Sequence, residues 1–189
     1  FAGEIIPVGP GVKEWKIGDK VMGATRFGGY VSHLNSHHRY VLPLPKGWSF
    51  EEGAGFLVQG LTAWYALKEL GNLQKGSTVL IHSAAGGVGL LANRICKTFD
   101  AYTIGTVGSA KKVDFLKREE AYDAVIVRDK DFHAKLKAAL GNRPLNLVME
   151  CIGGRILMDG WKTMAPMGRM VVYGSASFAT HGSRPNYAK

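Results

Sequence analysis

The chain has 189 residues, 46% of them hydrophobic and 21% charged, a globular composition with room for one sizeable domain or somewhat more. Its formal net charge of +9 is dispersed, with Lys111-Lys112 and Lys117-Arg118 the densest pairs, so there is no basic run of the kind that carries nucleic-acid binding, and no nucleic-acid partner is expected. Two cysteines, Cys96 and Cys151, each in an apolar stretch, exclude a disulfide framework and suit a reducing, cytoplasmic setting. No apolar run approaches the roughly 18–20 residues of a membrane span, so stable membrane insertion is not expected.

Residues 1–57 read as β-rich. Strands are expected at 4–8, Lys20–Gly23, 30–33 and 39–42, separated by Pro10-Gly11 and Gly28-Gly29 and stopped by Pro43 and Pro45. Four short strands close neither a barrel nor a sandwich, so partner strands from outside this stretch are expected. Ser49 followed by Glu51-Glu52 predicts a helix over 49–56. A second helix is expected over 60–70, with Leu61, Trp64, Tyr65 and Leu67 on its apolar side and Gly71-Asn72 past its last turn.

From Thr78 the pattern alternates. Strands are predicted at 78–82, 102–107, 124–127, 145–150 and 168–173, and helices at 88–99, 110–119, 132–140 and 155–164. Five strands joined by four crossover helices predict an α/β fold with a doubly wound parallel sheet of the Rossmann type. Residues 177–189 show no clear period.

The first strand runs into Ser83-Ala84-Ala85-Gly86-Gly87-Val88-Gly89, where Ala84, Gly86 and Gly89 keep G-x-G-x-x-G spacing with alanine in the first place. Strand, glycine turn and helix in that order aim unpaired helix N-terminal N–H groups at a phosphate. Glycines also cluster in ordinary turns; the strand before, the helix after and the further pairs beyond favour a dinucleotide. The other predicted strand ends are 107–109, Arg128, 151–153 and Gly174-Ser175, rich in glycine and small polar residues.

A site for NAD usually places Asp or Glu about 20 residues past the loop. Here that place falls on Gly108, between the uncharged Val107 and Ser109. Ser109, Lys112 and Arg128 are expected to favour the 2′-phosphate of NADPH, by roughly 1–3 kcal/mol per charge-assisted bond before solvent screening. Lys111 and Lys112 are adjacent, so one of them faces solvent, and Lys112 is the preferred ligand. No metal is expected: Cys96 and Cys151 are far apart in sequence, and the side chains of His37-His38 diverge in an extended segment. His82 and His33 read as structural or surface histidines. Ser83 lacks a G-x-S-x-G setting, which argues against hydrolase chemistry.

On these residues the chain resembles the medium-chain dehydrogenase/reductase superfamily, in its zinc-free quinone oxidoreductase (zeta-crystallin-like) branch. The resemblance is carried by Phe1-Ala2-Gly3-Glu4, Gly9-Pro10-Gly11-Val12, Gly18-Asp19-Lys20-Val21 and Leu61-Thr62-Ala63-Trp64. It continues through His82 to Gly89, Gly105-Thr106-Val107-Gly108-Ser109 and Tyr173-Gly174-Ser175. The forms of 148–154 and 173–178 are also similar to the vesicle amine transport protein homologues.

The resemblance implies part of a GroES-like catalytic domain over 1–57, a Rossmann domain over 58–176 and the start of a truncated segment over 177–189. It implies NADPH, usually a homodimer, and reduction of a quinone or of the activated double bond of an enone or enal. Thr62 matches the threonine near the nicotinamide and is the candidate catalytic residue as well as a cofactor contact. Ala85, Gly86, Gly87, Val88 and Gly89 match the pyrophosphate loop, and Ser109 and Lys112 the 2′-phosphate positions. Arg128 stands where a relative has tyrosine. Cys151 and Ile152, with Tyr173, Gly174 and Ser175, match strand ends bordering the nicotinamide. Val58 occupies the place of a cysteine zinc ligand in zinc-dependent cousins. Family members extend beyond both ends of this chain, so it is expected to be a piece of a longer enzyme, with weak catalysis by itself. The alternative expectation is an NADPH-binding interaction or membrane-associated protein with little turnover.

Overall fold

The computed structural model describes residues 1–118 and 120–179; Glu119, the expected end of the 110–119 helix, and residues 180–189 lie outside the described residues. The chain divides into two compact units, Phe1–Leu61 and a second that begins at Thr62.

In the first unit, β1 (Ala2–Glu4), β2 (Lys20–Gly23) and β3 (Val41–Pro43) form an antiparallel sheet in that order, with Met22 opposite both Ala2 and Leu42. The central strand carries the burial, at Val21 and Met22. Three expectations shift here. The 4–8 strand forms earlier and shorter as β1. Residues 39–42 begin as a 3-10 turn at His38–Tyr40, capped by the His37 ring nitrogen accepting from the Arg39 N–H at 3.3 Å. The 30–33 stretch forms no strand: Tyr30 is fully exposed and Val31 half so, and no described strand offers it a hydrogen-bond ladder.

The helix expected at 49–56 and most of the one expected at 60–70 are continuous. α1 spans Phe50–Trp64 and passes into a π-helical turn at Tyr65–Leu70. Its start is a capping box: the Ser49 N–H donates to Glu52 Oε2 (2.7 Å), and the Glu52 N–H donates to Ser49 Oγ (3.1 Å). No proline interrupts the span, so glycine at 53, 55 and 60 lowers propensity without ending the helix. Past the π turn, Asn72 takes the left-handed conformation (φ 53°) expected of a glycine cap. Gly71 is needed for another reason: a Cβ there would sit 2.5 Å from the Ala66 carbonyl oxygen and 2.8 Å from the Leu147 side chain.

The second unit alternates as the sequence predicts. β4 (Thr78–Ile81), α2 (Gly87–Lys97) and β5 (Tyr102–Val107) come first. A 3-10 turn (Ala110–Lys112) runs into α3 (Val113–Arg118), followed by β6 (Ala124–Val127) and α4 (Phe132–Leu140). β7 (Leu147–Glu150), α5 (Gly154–Thr163), β8 (Arg169–Val172) and the short α6 (Ala176–Ala179) follow. All five strands are parallel, in the order β6-β5-β4-β7-β8, so the order reverses at β4. This is the doubly wound α/β sheet. Strand ends differ from the expected bounds by one or two residues at 82, 145–146, 168 and 173.

Side chains alternate across the sheet with period two. Val79, Ile81, Leu147 and Met149 pack on one face with Ala92 and Cys96 of α2 and Leu116 of α3. Leu80, Ile104, Ile126 and Val148 pack on the other with Phe132, Leu136 and Leu140 of α4. The continuous apolar character of β4 and β7 follows from burial on both faces.

Candidate functional site

In an open parallel sheet the crevice lies beyond the strand carboxyl ends where strand order reverses, here outside β4 between β5 and β7. The chain leaving β4 remains tied to both neighbours: the His82 N–H donates to the Met149 carbonyl (3.1 Å) and the Ala84 N–H to the Thr106 carbonyl (3.0 Å). Ser83 takes a positive φ of 50°, and the Gly86 N–H closes a turn on the Ser83 carbonyl at 2.8 Å. Gly86 is the N-cap of α2 and supplies no side-chain cap, so the first-turn N–H groups of Gly87, Val88 and Gly89 are open to an external acceptor.

Two glycines are required by close approach. A Cβ on Gly89 would lie 2.7 Å from the Ala84 Cα and from the Ser83 and Ala84 carbonyl oxygens. One on Gly105 would press on Ala84 Cβ and the Tyr122 ring, each at 2.9 Å. Their hydrogens let α2, the loop and β5 come together, and the Tyr122 hydroxyl closes the arrangement on the Gly89 carbonyl at 2.9 Å. The result is a cradle made of backbone, with Ala85 and Gly86 in the loop and Gly87 to Gly89 in the first turn, whose open N–H groups suit an anionic oxygen.

Beyond β5, Ser109 caps the 3-10 turn by accepting from the Lys111 N–H at 3.4 Å. Lys112 is exposed, with no salt-bridge partner among the described residues. Arg128, past the end of β6, folds back over β5: its N–H donates to the Val107 carbonyl (2.9 Å). Its Nη1 donates to the Thr106 hydroxyl oxygen (2.8 Å) and carbonyl (3.1 Å), and its Nη2 lies 3.4 Å from where a Gly108 Cβ would be. The structure thus brings the Arg128 guanidinium against Gly108, at the uncharged end of β5. A terminal phosphate monoester fits this donor set.

On the other side of β4, the ends of β7 and β8 run together. The Tyr173 N–H donates to the Glu150 carbonyl (2.9 Å), the Ala176 N–H to Cys151 (2.8 Å) and the Ser177 N–H to Ile152 (2.9 Å). Gly174 lies against Cys151, with only 3.2 Å from its would-be Cβ to the cysteine Cβ, and Ser175 is exposed beside it. The half-buried Tyr173 hydroxyl is held protonated by burial first and by its hydrogen bond with Cys151 next. Cys151, Ile152, Tyr173, Gly174 and Ser175 are therefore one cluster. Thr62 is part-buried on α1 and is not among these strand ends.

The sequence reading missed the polar row beneath the crevice. His82 and Glu150 are fully buried, and so is Thr106. His82 Nδ1 is 2.8 Å from Thr106 Oγ1, its Nε2 is 3.3 Å from Glu150 Oε2, and Glu150 Oε1 accepts from the Ile152 and Gly153 N–H groups. Burial first, then the nearby Arg128 charge, push the His82 pKa down to about 3, so the ring is neutral. Strand alternation carried the signal: Leu80, Ile104 and Val148 share the α4 face, and two residues further on stand His82, Thr106 and Glu150.

For metal, the His37-His38 pair is engaged locally, His38 with Glu14 and His37 with the Arg39 N–H. Among the described residues no group of three or more His, Cys, Asp or Glu is placed to hold a metal ion, and Val58 offers no ligand atom. Among the described residues no helix is long and apolar enough to cross a membrane.

Comparison with known proteins adds four findings. The zinc-binding dehydrogenase family matches residues 87–186. The human synaptic vesicle membrane protein VAT-1 homolog is 34% identical over 183 residues, 97% of this chain and 46% of that protein. Among solved structures, Escherichia coli quinone oxidoreductase complexed with NADPH matches with a TM-score of 0.86 and 34% identity, over 93% of this chain and 54% of that one. The CurK enoyl reductase matches with a TM-score of 0.86 and 32% identity, over 92% and 52%. The chain spans about half the length of these relatives.

Proposed function

The chain belongs to the zinc-binding dehydrogenase family, in the quinone oxidoreductase branch of the medium-chain dehydrogenase/reductases, and on that premise we propose an NADPH-dependent, zinc-independent reductase of quinones or of the activated double bonds of enones and enals. The observation that carries this reading is the end of β5. No carboxylate stands there to take the ribose hydroxyls, while Arg128 folds over Gly108 with Ser109 and Lys112 alongside. The two relatives whose names state a reductase or quinone oxidoreductase activity support the reaction class.

In this reading the open N–H groups of Gly87, Val88 and Gly89 hold the pyrophosphate, with Ala85 and Gly86 shaping the approach. Ser109, Lys112 and Arg128 hold the 2′-phosphate. Cys151, Ile152, Tyr173, Gly174 and Ser175 border the nicotinamide. The bound cofactor supplies the reducing equivalent. The protein's part is to orient the acceptor and to donate to the oxygen that gains charge, and Thr62 is the hydroxyl assigned to that donation. Val58, in place of a zinc ligand, leaves the donation to hydroxyls, backbone N–H groups or water. The reading includes a homodimer in a reducing, cytoplasmic setting, consistent with two free cysteines.

Titration of the purified chain with NADPH and NADH tests the cofactor assignment: NADPH is expected to bind more tightly by about tenfold or more, and Arg128→Ala and Lys112→Ala to narrow the gap. Equal affinities, or a gap untouched by both substitutions, would overturn it. Turnover of a quinone and enal panel by the full-length protein tests the reaction. The similarity to a vesicle membrane protein supports a second reading, a cofactor-binding protein that associates peripherally with membranes. Tight NADPH binding with no turnover of any acceptor, together with sedimentation on phospholipid vesicles, would favour it.

A further inference from the structure

The buried row beneath the crevice joins the two ends of the cofactor site. Arg128 can only donate, so Thr106 Oγ1 accepts from its Nη1, and the threonine hydroxyl hydrogen is free for His82 Nδ1, 2.8 Å away. With Nδ1 accepting, the neutral ring carries its proton on Nε2, facing Glu150 Oε2 at 3.3 Å. Nε2 and that oxygen are both buried without a hydrogen-bond partner, so they face each other as a close polar contact, and the opposite tautomer would set a ring lone pair against the carboxylate. Glu150 Oε1 then accepts from the Ile152 and Gly153 N–H groups. Donation runs from the guanidinium through the threonine hydroxyl to the imidazole, whose Nε2–H faces the carboxylate that collects the backbone of the turn before α5.

We infer that Thr106, His82 and Glu150 are positioning residues that hold one edge of the Arg128 guanidinium and leave Nη2 for the cofactor's 2′-phosphate, while fixing the Ile152-Gly153 turn at the nicotinamide end. The inference rests on the NADPH reading. None of the three touches the cofactor: each is fully buried under the strand ends. A guanidinium without this hold would swing among rotamers and lose part of its bond to the phosphate through ordering entropy.

Thr106→Val tests it, because valine keeps the shape and removes the acceptor. Titration of the full chain with NADPH and NADH is expected to show NADPH weakened about tenfold and NADH changed less than twofold. Thr106→Ser should restore the preference, and Thr106→Val added to Arg128→Ala should weaken NADPH no further than Arg128→Ala alone. Equal loss for both cofactors would mark Thr106 as merely structural and overturn the inference. So would a wild-type preference in Thr106→Val when Arg128→Ala has lost it. An unchanged preference in Arg128→Ala would instead overturn the NADPH reading itself. If Thr106→Val does not fold, the histidine nitrogen chemical shifts of the wild-type protein decide. A neutral His82 protonated on Nε2 supports the relay, and one protonated on Nδ1 overturns it.

Discussion

At His82 a single side chain ties the stability of the folded state to pH. It is fully buried and neutral, with its pKa lowered to about 3 from an ordinary value near 6.5. As pH falls below about 6.5 the unfolded chain takes up a proton that the folded chain refuses, so stability drops with pH across that window. The slope is up to about 1.4 kcal/mol per pH unit and flattens near the folded value. His82→Gln removes this contribution. Urea unfolding at pH 7 and pH 4.5 should show the variant gaining about 2–3 kcal/mol on the wild type as the pH is lowered. A difference independent of pH would show that the histidine titrates in the folded state as it does in the unfolded chain. Nothing in the residue type alone foretold this. A histidine after an apolar run is as often a surface residue, and its neutrality depends on burial in the folded sheet and on Arg128, 46 residues away in the chain.

At the scale of elements, the β4–loop–α2 unit was legible because each part has a local cause. The apolar run makes a buried strand, the glycines permit the turn, and the uncapped first turn of α2 presents its N–H groups. Gly89 tests the packing part of that account. In Gly89→Ala the new methyl would meet backbone atoms at 2.7 Å, which cannot rotate away as a side chain can. The variant should lose about 1–3 kcal/mol in urea unfolding and bind NADPH more than tenfold more weakly, and wild-type behaviour in both would refute the close approach. The α1 boundary was misread for the opposite reason. Two helices were expected, over 49–56 and 60–70, yet one helix continues through the glycines at 53, 55 and 60 at a cost of about 1 kcal/mol each when packing compensates. The 30–33 stretch has strand composition and no described partner, and a strand is a property of a pair.

Over the whole molecule, burial is uneven. β4 is hydrogen-bonded on both sides, to β5 and β7, and all four of its residues are buried. β6 and β8 are the outer strands of this sheet among the described residues, and in the three-stranded sheet burial concentrates in β2. Amide exchange should therefore be slowest in β4, the middle of β5 and β7, and faster by several orders of magnitude in β1 and β3, read by hydrogen–deuterium exchange at neutral pH. Equal protection in the two sheets would show that they open as one cooperative unit.

By itself the sequence determined the alternation of strands and helices, the parallel sheet it implies, the glycine turn between β4 and α2 and the uncharged end of β5, because each depends on neighbours within a few residues. Periodicity, caps and glycine spacing are local. Only the tertiary structure decided that Arg128 folds over Gly108, that Cys151 and Tyr173 share one wall, and that His82, Thr106 and Glu150 stand in one buried row. Those placements depend on which strand lies beside which and in what register, and register is set by the packing of the whole sheet.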